Sequence, residues 1–260
     1  MVKTFTQTIS FLAILLFLFQ MSSDAQENPQ VKFGEANKQL EAGYYQKAIH
    51  LYRELETNKQ WSGPLFLNMG ISYQRLDSLG KAKFYFLKAT TFEATEAQAQ
   101  QALEYIDGQF SHQSVALPKL PWDVATDWLR RKFGARALLA WGIILLNMGV
   151  LLFISHWFLR RWSSYVRIVG ISITALALLI IASGFYTQYI ASRYSRAVMV
   201  TQQAPVLEKP KEGSSLISQS FEGYTFTVDH RKSQSQSNWS YVRMSNGLYG
   251  WIPNSDILIL

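Results

Sequence analysis

A chain of 260 residues with 25 Lys and Arg against 18 Asp and Glu, and a pI near 9.5, invites a nucleic-acid reading. The excess is confined to residues 111–197, while 26–110 and 198–260 are close to neutral, so neither candidate domain carries the basic face that nucleic-acid binding requires and the charge reads as a membrane flank. The absence of cysteine excludes disulfides, thiolate metal sites, cysteine nucleophiles and a lipidated N-terminal Cys.

Residues 1–25 open with Lys3, continue with an apolar run from Ile9 to Phe19 and close on Ser23-Asp24-Ala25, small residues at the −3 and −1 positions. That layout predicts a secretory signal peptide cleaved after Ala25, since the run is too short to span a bilayer comfortably.

Residues 26–110 show helix periodicity and an internal repeat. Ala36 and Gly70, Gln39 and Tyr73, Ala48 and Ala82, and Tyr52 and Phe86 are all offset by 34, the period of the tetratricopeptide helix-turn-helix unit. The copies span about 29–62 and 63–96, with an end helix over 95–109. The second copy fits better, through Phe66, Met69, Gly70 and Tyr73 and then Ala82, Phe86 and Ala89. In the first, Lys32 and Glu35 stand where large apolar residues are expected. Two repeats are fewer than such arrays usually need, so a partner or a lipid surface is expected to cover part of this one. On the repeat register, Phe33, Asn37, Leu40, Asn68, Ile71 and Gln74 line the groove side of the first helix of each pair and are the candidate peptide-binding residues. Asn37 and Asn68 each offer a donor and an acceptor that suit a peptide unit of any sequence.

Residues 111–134 contain Pro118 and Pro121, and then Trp122, Ala125, Trp128, Leu129 and Phe133 on one helical face beside Arg130, Arg131 and Lys132, as in a short helix lying in a headgroup layer. Residues 135–159 and 168–191 are each long and apolar enough to cross about 30 Å of hydrocarbon, with aromatic residues at their boundaries. The loop between them, 160–167, is short and basic. A cleaved signal peptide exports the chain, so this loop is expected in the cytoplasm and both folded domains in the periplasm, anchored in the bacterial inner membrane.

Residues 198–260 alternate β-rich runs with turns and predict a small barrel of five short strands, with Trp239, Val242, Trp251 and Ile252 available for the interior. Asn246-Gly247 marks a hairpin. Strand alternation pairs Trp239 with Tyr241 and Tyr249 with Trp251 on a face, and at least one aromatic pair is expected to be buried.

The string Trp239-x-Tyr241-Val242-Arg243-x-x-Asn246-Gly247-x-x-Gly250-Trp251-Ile252-Pro253 resembles the end of bacterial SH3-like domains. With the domain order and the string LPKLPWDVATDWLRRKF, the chain as a whole resembles the BatE-like proteins of the Bacteroidetes aerotolerance operon. The fold class that follows is a multidomain membrane protein: α-helical tetratricopeptide repeats, two transmembrane helices and a small all-β SH3-like barrel. The resemblance implies work beside other Bat envelope proteins that carry von Willebrand A domains and beside a MoxR-type ATPase. In tetratricopeptide domains that clamp a C-terminal carboxylate, Lys and Arg join the two Asn positions; here Phe33, Gln98 and Ala102 stand there, so an internal peptide segment is the better ligand.

Signatures of hydrolase, nucleotide and metal chemistry are missing from the sequence, and His50, His112, His156 and His230 fall in four different segments. No enzymatic activity, cofactor, metal or nucleic-acid partner is therefore expected. The leading expectation is a membrane-anchored envelope scaffold. A peptidoglycan-binding protein is the alternative, and a transducing sensor is disfavoured because the eight-residue loop is too short to be an output domain.

Overall fold

The computed structural model describes residues 28–112, 132–158 and 163–260, together with Val124 and Trp128. The signal-peptide segment 1–25, most of the expected interfacial helix in 111–134, and residues 160–162 of the short loop lie outside the described residues.

The N-terminal part is a row of antiparallel helices: α1 (Pro29–Glu41), α2 (Tyr45–Thr57), α3 (Gly63–Arg75), α4 (Leu79–Ala89) and α5 (Glu96–Asp107). Asn28 caps α1 by accepting from Gln30 N–H, and Ser62 caps α3 by accepting from Leu65 N–H. Each of these helices has a proline in its first turn, where no intrahelical donor is lost. Helix starts repeat at the 34-residue offset seen in the sequence. Small residues set the packing distance within each pair, since a Cβ on Gly70 would lie 2.4 Å from the Phe86 ring. Ala36, Ala48, Tyr52, Phe66, Met69, Ala82 and Phe86 are all within 2 % of full burial.

Two long apolar helices follow, α6 (Gly134–Phe158) and α7 (Ser163–Arg193). They form an antiparallel hairpin, closely packed where Gly142 faces Ile181, Gly149 faces Thr174 and Gly184 faces Leu139. Both are long and apolar enough to cross a membrane, and most of their apolar surface faces outward, including Trp141, Ile144, Leu151, Leu179 and Phe185.

The C-terminal part is a seven-stranded antiparallel sheet in the order β3-β2-β6-β5-β4-β1-β7. Its strands are β1 (Tyr194–Met199), β2 (Gln203–Leu207), β3 (Leu216–Phe221), β4 (Thr225–Asp229), β5 (Trp239–Met244), β6 (Tyr249–Pro253) and β7 (Ile257–Ile259), with a one-turn helix α8 (His230–Ser233) after β4. The five expected strands become seven because two of the β-rich runs each fold back on themselves, Ala204 to Ile217 as β2 and β3 and Asn238 to Pro253 as β5 and β6. The Asn246-Gly247 hairpin forms as expected between β5 and β6, with Gly247 at φ 88° and Asn246 Oδ1 accepting from Leu248 N–H.

Val242 and Ile252 are fully buried, as expected. Trp239 and Trp251, expected beside them, are not: both are half-buried on the opposite face of the sheet. Ser240, Val242 and Met244 of β5 point inward with Gly250 and Ile252 of β6. Neighbouring β2 fixes that choice, because a Cβ on Gly250 would lie 2.5 Å from Val206 Cγ1 and 2.9 Å from the Leu207 carbonyl. Gly250 has to face β2, so Trp251 has to face away.

The helical array and the sheet are docked on one another. Val198 of β1 belongs to the array's core while its neighbours Ala197 and Met199 belong to the sheet's core, and Leu258 of β7 and Phe110 also pack against the array. The His112 and Phe221 rings stack 3.8 Å apart. Ser78 makes no side-chain cap for α4; Glu222, in the β3–β4 turn, accepts from Gly80 N–H at 2.7 Å instead, a carboxylate at the positive end of the helix. The expected cover for a two-repeat array is thus supplied in part by the chain's own C-terminal sheet.

Candidate functional site

Two surfaces carry the side chains that the sequence singles out. The first lies along α1 and α3. Asn37 Oδ1 accepts from Tyr52 Oη at 2.6 Å and from Asn68 Nδ2 at 2.9 Å, so the two asparagines meet each other across α1 and α3. Burial of the Tyr52 hydroxyl pushes its pKa up to about 12, against the opposing hydrogen bond to Asn68. Phe33 lies against the Tyr52 ring at 5.9 Å, and Phe33, Leu40 and Ile71 are partly buried against the array's core. Gln74 is half-buried and its side chain has no hydrogen-bond partner among the described residues. Of the six residues, Asn37 and Asn68 are thus in direct contact, and Phe33 adjoins them through Tyr52. The amide groups of Asn37 and Asn68 are half committed to each other, which leaves Asn37 Nδ2 without a partner among the described residues.

A second polar chain, not anticipated from the sequence, links the helix pairs. Arg53 donates to Tyr73 Oη at 2.8 Å, the Tyr73 and Tyr85 rings stack at 5.3 Å, Tyr85 Oη donates to Glu56, and Glu56 pairs with Lys88. Burial raises the pKa of both Tyr73 and Tyr85. These groups are consumed by one another and bind the pairs together.

The second surface is the outer face of β5 and β6. Tyr241 stacks on Tyr249 at 6.1 Å and meets Trp251 edge-on at 5.2 Å. Lys232 sits 4.2 Å over the Tyr241 ring and Arg243 5.7 Å from the Tyr249 ring. Tyr249 is 49 % exposed. Rigid rings with an open face give large contact area at low entropic cost, and the flanking cations favour a ligand with acidic or hydroxyl groups. The Gly250-Trp251 dipeptide is the sequence signal for this face: glycine where β2 crosses, tryptophan turned outward.

Of the histidines, His50 lies beside Glu54, His112 stacks on Phe221, and His230 Nε2 is 2.8 Å from Ser195 Oγ.

Residues 185–258 match the GW (Gly-Tryp) dipeptide domain family. No curated protein matches the chain significantly. The match covers the sheet domain and the last turns of α7, and supports an SH3-like reading for that part of the chain.

Proposed function

We propose that the chain is a membrane-anchored scaffold of the bacterial cell envelope, in which tetratricopeptide-type helix pairs and an SH3-like barrel form one binding head. The observation that carries this reading is the docking of the array on the sheet. Parts that touch lie on the same side of a membrane, and they are joined here by a hairpin of two apolar helices, the even number of crossings that such an arrangement requires. A cleaved signal peptide would make that side the periplasm. The 34-residue offset of the helix pairs supports the tetratricopeptide assignment, and the domain order supports the likeness to BatE-type proteins, with von Willebrand A domain proteins and a MoxR-type ATPase as the partner classes. Phe33, Asn37, Leu40, Asn68, Ile71 and Gln74 form the peptide-binding side, with Asn37 Nδ2 free for a peptide carbonyl.

Alkaline phosphatase fusions at Ser163 and Asn238 test the topology: activity at Asn238 only is expected, and activity at Ser163 only reverses it. Affinity purification of the full chain from gently solubilised membranes, with and without Asn37→Ala, tests the scaffold role. Unchanged partner recovery removes the groove from the proposal.

A second reading is favoured by the open aromatic face and the GW-family match: the barrel binds a wall polymer such as peptidoglycan through Tyr241, Tyr249 and Trp251. Co-sedimentation of the chain with purified peptidoglycan, lost in Tyr249→Ala, supports it; equal pelleting of wild type and variant rejects it.

A further inference from the structure

We infer that the cleft between the end of α7 and the sheet binds a phosphate group, that of an anionic lipid headgroup. The inference rests on the membrane reading above and deepens it. The cleft has a volume of about 640 Å³ and is walled by Arg193 of α7, His230 and Arg231 of α8, Gln234 and Gln236, Trp239 of β5 and Asn254 just after β6.

Its depth in a bilayer follows from length. Twenty helical residues rise about 30 Å, the hydrocarbon thickness. Counted from Arg167, the last charge before the apolar run, they reach Thr187. Tyr189 and Arg193 therefore stand in the headgroup layer, where tyrosine and arginine are favoured.

Its charge follows from what lines it and what does not. No acidic side chain is among the lining residues, and Asp229, beside Arg193, is buried behind the wall. Its Oδ2 accepts from Arg193 Nη2 at 3.0 Å and Nε at 3.3 Å, and its Oδ1 accepts from Lys232 N–H. Arg193 also donates to Tyr189 Oη. This arrangement balances the charge of Arg193 and holds its guanidinium in place. Arg231 has no acidic partner among the described residues and is exposed at the rim. Asn254 is consumed internally, donating to the Ser237 carbonyl and accepting from Ser240 Oγ. The donors left for a ligand include the Arg231 guanidinium, the Gln234 and Gln236 amides and the Trp239 indole N–H, none of which has a partner among the described residues. A charged donor beside neutral ones, with no carboxylate side chain on the lining, is the chemistry that holds a phosphodiester and rejects a cationic headgroup.

A lipid and a free phosphate share this chemistry, so the test has two arms. The full chain in detergent is exposed to phosphatidylglycerol or phosphatidylcholine and bound lipid is counted by native mass spectrometry. In parallel, inorganic phosphate alone is titrated by calorimetry. Wild type is expected to retain phosphatidylglycerol over phosphatidylcholine, Arg231→Ala to lower that retention about tenfold, and Lys211→Ala, on the β2–β3 turn, to leave it unchanged. Equal retention by wild type and Arg231→Ala overturns the site. Arg231-dependent binding of inorganic phosphate without lipid retention overturns the lipid assignment. Carbonate extraction keeps the two readings apart: a chain released from membranes refutes the anchor, whatever the phosphate titration shows.

Discussion

The two helix pairs occupy the same repeat positions, yet they are built differently. In α3, Phe66 and Met69 are at 2 % and 0 % exposure, and seven of the helix's residues are buried. At the equivalent positions of α1 stand Lys32 and Glu35, and only Ala36 is buried. Lys32 reaches Glu54 on α2 at 2.6 Å, and Glu35 is exposed. The difference is positional. Among the described residues α3 has helices on both sides, whereas α1 has them on one side only, and position 35 faces outward there. What reads in the sequence as a degenerate first copy is an end unit with a polar outer face. The other end of the row, α5, turns a polar face outward as well, burying only Ala99, Leu103 and Ile106, while β1 and the β3–β4 turn cover the start of α4 between them.

The comparison is broken most sharply at its two equivalent positions. Phe66→Ala should lower stability by about 3–5 kcal/mol, the usual cost of deleting a buried aromatic ring. Lys32→Ala should cost about 0–1 kcal/mol, because its ion pair is only partly shielded. Thermal unfolding of the full chain in detergent, followed by circular dichroism, measures both. Comparable losses would mean that α1 is as embedded as α3.

Where the sheet covers α4, Gly80→Val should cost about 1–3 kcal/mol through overpacking, since a Cβ there lies 2.5 Å from the Met199 carbonyl, which is backbone and cannot swing aside. Hydrogen exchange should rise in the first turn of α4 and at Glu222–Tyr224, while the interiors of the array and the sheet keep their protection. Exchange that rises throughout α3 and α4 instead would show that the sheet is an integral cap of the array.

The polar link between the pairs gives an asymmetric result. Asn37→Ala should cost about 1–3 kcal/mol, because it removes the acceptor of the buried Tyr52 hydroxyl. Asn68→Ala should cost about 1 kcal/mol or less, because Asn37 Oδ1 still serves Tyr52. Tyr52 also sets a pH limit. Its pKa is raised from 10.0 to about 12 on folding, so the buried neutral phenol contributes stability in full below pH 10, and that contribution is lost as pH rises through about 12. The melting temperature of wild type should therefore fall more between pH 10 and 12 than that of Tyr52→Phe. Asp229 acts on the acid side. Burial opposes its ionisation, but Arg193 and the Lys232 and Arg231 N–H groups outweigh this and hold its pKa below the ordinary value. The link between α7 and the sheet is accordingly present above the ordinary carboxylate range and weakens as pH falls below it.

The helical part was legible in the sequence because its period and its small-residue positions are both local signals. Ala48 and Ala82 alone set a register that the helix bounds follow. The apolar hairpin was legible for the same reason, by length and composition. The sheet was less so. Alternation fixes which residues share a face, but not which face turns inward, and β5 and β6 carry apolar groups on both: Trp239 and Tyr241 on one, Val242 and Met244 on the other. Ser240 adds to the ambiguity, being polar yet buried at 3 %, where it donates to Asn254 Oδ1. The deciding contact is between Gly250 and β2, more than forty residues away, and no local pattern encodes it. The docking of the array joins groups as far apart as the Gly80 N–H and the Glu222 carboxylate, and the cleft beside α7 joins Arg193 to Asn254, so neither was visible in the sequence.

The smallest expected effect on stability tests that inward-outward assignment directly. Tyr249 and Ile252 lie three residues apart on one strand and face opposite ways. Ile252 is fully buried, so Ile252→Ala should cost about 2–5 kcal/mol. Tyr249 is 49 % exposed and touches only Tyr241 and Arg243 through ring contacts, so Tyr249→Ala should change stability by no more than about 0.5 kcal/mol. Its consequence should appear elsewhere, as weaker recovery of whatever the aromatic face binds, with the circular dichroism spectrum and the melting temperature close to those of wild type. A large drop in melting temperature with binding intact would place Tyr249 in the packing of the sheet and leave the Tyr241–Trp251 pair as the whole of the outer platform.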